Sequence, residues 1–261
     1  HSLSRRQRQM CIRDREWKLR ASSFKSNSAA IGEMKLDIPY GDHPREQYDI
    51  FLPNKQSRGT VIFLHGGFWF RTGREHWSFI AQGILSEGWS VVIPSYPQAP
   101  DVKIPEITLS ISKLVYKILD DFNSPIRIIG HSAGGHLASR MICKNFLIKN
   151  MGKHIDRVIS VSGLYDLRPL LMTKLNDILT LNYEEALQES CFLYDPIDTK
   201  LTCWVGANER PEFLRQNRIL AEAWSKKSRN IESYYDQGKD HFTVINQLEE
   251  QDSLLTQSIT K

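Results

Sequence analysis

Read as a series of apolar and polar positions, the chain changes rhythm once. After a polar, helix-like start around Glu16–Phe24, Met34–Ile38 and Gln47–Leu52 alternate with the twofold period of half-buried strands, joined by the turn-rich Tyr40-Gly41-Asp42-His43-Pro44. From Thr60 onward short apolar runs alternate with longer amphipathic stretches. The runs Thr60–Leu64, Ser90–Ile93, Ile126–Ile129, Arg157–Val161, Thr202–Gly206 and Ile231–Tyr235 predict strands. Between them Trp77–Glu87, Pro105–Phe122, Ala133–Phe146 and Pro211–Lys227 predict helices, and a polar excursion fills Gly163–Leu193. This alternation implies an α/β fold with a mainly parallel central sheet and helices on both faces. The 261 residues, 41% of them hydrophobic, suffice for one sizeable core. The longest apolar runs, VIFL and VVI, are too short to cross a bilayer, so a soluble protein with no membrane partner is expected.

The first fifteen residues change the reading of charge. Ser2 to Arg15 has neither helical nor strand periodicity, and its core RRQRQMCIRD resembles the in-frame translation of a transposase adapter used in sequencing libraries. Residues 1–15 are therefore expected to be a non-native segment and residues 16–261 a single domain, the other reading being a basic N-terminal arm. Without the segment, five arginines leave the 34 basic residues and one aspartate leaves the 30 acidic ones, and 29 of each remain. The formal +4 becomes zero, and a nucleic-acid partner loses its basis. Beyond Cys11, the cysteines Cys143, Cys191 and Cys203 are odd in number and lack CxxC spacing. That argues against a disulfide scaffold and fits a reducing cytoplasm. No signal-peptide pattern is visible.

Candidate chemistry begins where Ile126–Ile129 runs into Gly130-His131-Ser132-Ala133-Gly134 and a helix opens at once. A G-x-S-x-G sequence between strand and helix holds a serine hydroxyl exposed above the sheet, so Ser132 is the expected nucleophile. Its hydroxyl needs a base, and the base needs a carboxylate to fix its tautomer. His241 follows the last predicted strand and is the expected base, whereas His154 precedes a strand and reads as a loop residue. Glu209 is the sole carboxylate between the strand Thr202–Gly206 and Pro211, and is the expected acid; Asp166, Asp195 and Asp198 are rivals, and Asp240 is too close to His241 in sequence to orient it.

Attack on a carbonyl creates an oxyanion, which needs donors already aimed at it. The elbow supplies the Ala133 N–H, and the loop after Thr60–Leu64, His65-Gly66-Gly67-Phe68-Trp69, is placed to supply Gly67 and Phe68. His65 is expected to brace that loop, and Trp69, with Phe68 or Phe70, to border an aromatic leaving group. Taken together, HGGFW, GHSAGGHLAS, SGLYDLRPL, GANERPEF and KDHF resemble, in order and spacing, the HGGxW-type kynurenine formamidases and their bacterial α/β-hydrolase relatives. The resemblance spans the chain from about Trp17 and departs from the family at Glu209, where characterised eukaryotic members carry aspartate.

The resemblance implies an α/β-hydrolase fold with at most a small cap, and hydrolysis of N-formyl-L-kynurenine to formate and L-kynurenine through a formyl-enzyme on Ser132. The alternatives are a general carboxylesterase of small acyl esters and a non-catalytic hydrolase-fold binding protein. A small-molecule substrate with an acyl or formyl group is expected either way. No HExxH or comparable ligand spacing occurs, so neither metal nor cofactor is expected. Arg71, Arg74, Arg168 and Arg210 are equal candidates to hold a substrate carboxylate.

Overall fold

The computed structural model describes residues 5–122, 125–146 and 154–261, with side chains from residue 12 onward. In chain order the elements are α1 (Arg5–Asn27), β1 (Ile31–Pro39), β2 (Gln47–Pro53), β3 (Thr60–Leu64), α2 (Ala81–Ser86), β4 (Ser90–Pro94), α3 (Ile104–Asp121), β5 (Ile126–His131), α4 (Ala133–Arg140), β6 (Ile155–Val161), α5 (Asn176–Leu179), α6 (Tyr183–Gln188), β7 (Lys200–Gly206), α7 (Pro211–Ser225), β8 (Ile231–Asp236) and α8 (Leu254–Thr260). The eight strands form one sheet in the order β1-β2-β4-β3-β5-β6-β7-β8. β1 and β2 pair antiparallel, as does β2 with β4, and every other pair is parallel.

The central strands are buried on both faces, and their twofold period divides the core in two. Ile62 and Leu64 of β3 join Val92, Ile128, Ile111, Leu114 and Leu137 on one face, under α3 and α4. Val61 and Phe63 point the other way, to Val91, Ile93, Ile84 and Ile259 under α2 and α8. Burial of Ile104, Ile107, Ile111, Leu114, Val115 and Ile118 at steps of three and four gives α3 its inner stripe. This is the sheet with helices on both faces that the alternation implies, and among the described residues no helix is long and apolar enough to cross a membrane.

Several helices depart from the sequence reading. The stretch Trp77–Glu87 is helical only from Ala81, after 3-10 turns at Arg74–His76 and Ser78–Ile80. Trp77 sits between those turns at φ −123°, its indole N–H donating to Thr72 Oγ1 at 3.3 Å. α4 stops at Arg140 and not near Phe146, because the following backbone bonds elsewhere: Lys144 N–H donates to the Asp195 carbonyl, and the Ile142 carbonyl accepts from Ile197. α1 runs from Arg5 through part of the segment set apart above, since good helix formers such as Arg, Gln and Met extend a helix once it is nucleated. The C-terminal α8 has no counterpart in the sequence reading; Ser253 caps it, and its last carbonyls accept from Trp89 Nε1 and Arg127 Nη1.

Candidate active site

The parallel register brings the ends of β3, β5, β7 and β8 to one edge, and the loops leaving them meet there. Ser132 occupies the turn from β5 into α4 at φ 57°, ψ −117°, a strained conformation for a residue with a side chain. Its N–H is bound to the Val161 carbonyl at 2.8 Å. The elbow can be this tight because Gly134 brings the first turn of α4 against β3; a Cβ there would overlap the Leu64 carbonyl oxygen. Gly66 closes from the other side, where a Cβ would lie 3.0 Å from Ser132 Cβ.

The Ser132 Oγ lies 3.2 Å from His241 Nε2, and His241 Nδ1 lies 2.7 Å from Glu209 Oε2. A carboxylate can only accept at Nδ1, so Nε2 is left free to take the serine proton. Glu209 is itself held: Oε1 accepts from Ser162 Oγ at 2.5 Å and from the Gly206 N–H at 3.0 Å. A turn from Gly206 to Glu209 points the longer side chain back over β7. The rival acids are engaged elsewhere. Asp166 binds Arg168 at 2.8 Å and Arg215 at 3.6 Å, Asp195 binds Lys227, and Asp198 accepts from Asn230 at 3.0 Å. Asp240 caps its own turn, accepting from the N–H groups of Phe242 and Thr243 at 2.9 and 2.8 Å.

One positioning contact has no signal in the sequence. His131 Nε2 donates to the main-chain oxygen of His241 at 2.7 Å, tying the loop that carries His241 to the residue next to Ser132. Burial, with the neighbouring His241, pushes the His131 imidazole down to about 3, so it stays neutral and holds one N–H for this bond. His131→Phe should lower kcat by about tenfold to a hundredfold with little change in KM, since loosened catalytic geometry is felt in the transition state. His131→Gln, whose amide N–H reaches similarly, should restore most of it. Steady-state kinetics with a pH profile checks this; a change confined to thermal stability would make the contact merely structural.

The loop after β3 carries three successive positive φ values, Gly67 at 114°, Phe68 at 56° and Trp69 at 62°. His65 braces it from below: its ring stacks on Tyr96 at 4.4 Å, and Nδ1 lies 2.7 Å from the Gly66 carbonyl, which also accepts from Thr72 Oγ1 at 2.9 Å. Full burial holds the His65 imidazole down at about 3, which suits a brace and not a proton carrier. Gly66, Gly67 and Phe68 line the cleft beside Ser132, and Ala133 opens α4 next to it.

The aromatic expectation needs correction at Trp69. That side chain packs in the core with its ring 5.3 Å from His136 and is not among the residues that line the cleft; Phe70 packs against the same core. The rings that do line the cleft of about 530 Å³ are Phe68, Trp17, Trp77, Phe213 and Phe242. Phe213, from the first turn of α7, lies 4.1 Å from the His241 ring. Arg13 and Asp14 of the segment set apart also reach the cleft, Asp14 pairing with Arg71 at 2.5 Å.

A family model described as BD-FAE matches residues 48–200, more than half of the chain. The chain belongs to the BD-FAE family. This BD-FAE member is 28% identical over 243 residues to a kynurenine formamidase of Danio rerio, a match covering 89% of the chain and 83% of the relative. A solved Silicibacter sp. TM1040 structure, described as a candidate thioesterase, superposes with a TM-score of 0.90 at 37% identity, covering 96% of this chain and 94% of that one. An esterase of Pyrobaculum calidifontis matches at a TM-score of 0.75 and 16% identity, covering 99% of this chain and 98% of that one, a likeness of fold. The BD-FAE member is thus an α/β-hydrolase similar to kynurenine formamidases, and a hydrolase enzyme.

Proposed function

We propose that this chain is a serine hydrolase that cleaves N-formyl-L-kynurenine to formate and L-kynurenine. The observation that carries the reading is the relay Ser132, His241 and Glu209 at 3.2 and 2.7 Å, opening on an aromatic-walled cleft of about 530 Å³. Ser132 Oγ attacks the formyl carbon as its proton passes to His241 Nε2. The N–H groups of Ala133, Gly67 and Phe68 receive the oxyanion. Collapse breaks the C–N bond, and His241 returns the proton to the departing aromatic amine, which without protonation is a very poor leaving group. A water deprotonated by His241 then attacks the formyl ester and releases formate and Ser132. The named activity of the Danio rerio relative supports the formamide, and the rings of Phe68 and Phe213 beside Ser132 and His241 suit an aromatic amine.

A second reading, hydrolysis of small acyl esters or thioesters, is favoured by the 37% identical Silicibacter structure. Acyl size separates the two. Aryl formamide turnover should exceed that of the matching acetyl and butyryl anilides and esters in kcat/KM by at least about a hundredfold, a few kcal/mol of discrimination. Equal or better rates with butyryl esters would replace the formamidase with a carboxylesterase.

A further inference from the structure

We propose that Arg210 is a specificity-determining residue that binds a carboxylate carried by the leaving group of the substrate. The inference rests on the serine-hydrolase reading above. Of the four arginines that the sequence leaves equal, two are already committed. Arg74 binds Asp49 at 3.0 Å and Gln47 at 2.8 Å, and Arg168 binds Asp166 at 2.8 Å; neither lines the cleft. Arg71 lines it and pairs with Asp14. Arg210 also lines it, is exposed, and forms no ion pair among the described residues. Its neighbour Glu209 makes no ion pair with it; that carboxylate's oxygens accept from Ser162 and the Gly206 N–H and face His241.

The local geometry puts this cation on the leaving-group side. Arg210 is the residue before α7, and its carbonyl accepts from the Phe213 N–H at 2.9 Å, closing the first turn. The same turn places the Phe213 ring 4.1 Å from His241, at an interplanar angle of 32°. One helical turn therefore carries an arginine that lines the cleft and an aromatic face beside the imidazole that must protonate the departing group. A leaving group with an aromatic ring on Phe213 and a carboxylate on Arg210 satisfies both. The guanidinium fork matches a carboxylate through two parallel N–H bonds, and the apolar wall strengthens the pair above its value in open water.

Two matched substrate pairs test this: N-formylkynurenine against 2-formamidoacetophenone, and 4-acetoxybenzoate against phenyl acetate. Each pair shares its acyl group and ring; the first differs in a carboxylate together with an α-ammonium, the second in the carboxylate without one, so an effect common to both reports the anion. The wild-type protein should favour the carboxylate-bearing member of each pair in kcat/KM. Arg210→Ala should cut that preference about tenfold, chiefly through KM, as expected for loss of a charged hydrogen bond. Arg210→Lys should restore part of it, and added salt should erode the wild-type preference. A preference unchanged by Arg210→Ala, or an equal loss on both members of a pair, overturns the inference while leaving the hydrolase reading intact. Inert formamides with an Arg210-dependent preference between the esters would overturn the formamidase and keep the carboxylate site. Failure to hydrolyse either pair would overturn both.

Discussion

Ser132→Ala should lower kcat on the best substrate by about a millionfold, the scale on which a serine nucleophile acts together with its base. The reason is geometric. The Oγ is the only hydroxyl of the elbow within 3.2 Å of His241 Nε2, and the β5-to-α4 turn leaves no neighbouring side chain to replace it. Removing one oxygen should not disturb the turn, whose tightness depends on Gly134 against Leu64 and Gly66 against Ser132 Cβ, an atom alanine retains. The variant should keep its circular dichroism spectrum and KM and lose labelling by an aryl phosphonate. Residual activity of a few percent, on protein free of contaminating wild type, would put the nucleophile elsewhere.

Glu209→Gln is expected to reduce kcat by about ten-thousandfold, the cost of presenting a catalytic histidine in the wrong tautomer. The amide keeps the shape of the side chain and can keep an oxygen toward Ser162 and the Gly206 N–H. Its NH2 then faces His241 Nδ1, which must accept, so Nε2 carries the proton and can no longer remove the one on Ser132. Asp166→Ala provides the contrast. It frees Arg168, leaves Arg215 with Glu212 alone and should cost stability, with kcat within a few-fold of wild type. Rates and denaturation midpoints measured on both variants decide the acid; a collapse of kcat in Asp166→Ala with Glu209→Gln active would reassign it.

Much of this site is legible because an α/β sheet orders its chemistry along the chain. Once Ile126–His131 is a strand entering α4, Ser132 must stand at the sheet edge, and the residues after the two last strands must come over it. Glu209 and His241 are the candidates that topology offers, and Asp166, after β6, is bound to Arg168 and Arg215 instead of His241. The HGG loop reads equally well, since positive φ at Gly67 and close approach at Gly66 are demands that glycine meets.

Side-chain direction is less legible. Trp69 lies in the motif that suggests the aromatic wall, yet the wall is built by Phe68 from that loop, Phe213 from α7, Phe242 beside the base, Trp17 from α1 and Trp77 between two 3-10 turns. These residues are far apart in sequence, and the apolar periodicity that buries a ring in a core looks the same as one that lines a cleft. The same holds for the ends of helices. Ile142 and Lys144 belong to a helical pattern, but their backbone groups find better partners at Ile197 and Asp195, which only the folded chain brings near.

Periodicity, glycine placement and strand-to-helix order are local and repeat every two to four residues, so the sequence by itself determined the sheet, its two covered faces and the chain order in which Ser132, Glu209 and His241 come to one edge. Contacts between segments tens to hundreds of residues apart were decided by the tertiary structure alone: His131 to the His241 carbonyl across 110 positions, and Ser162 to Glu209 across 47. Those contacts depend on where three-dimensional packing turns each side chain, and Arg210 stands apart because folding commits Arg74 and Arg168 to carboxylates of their own.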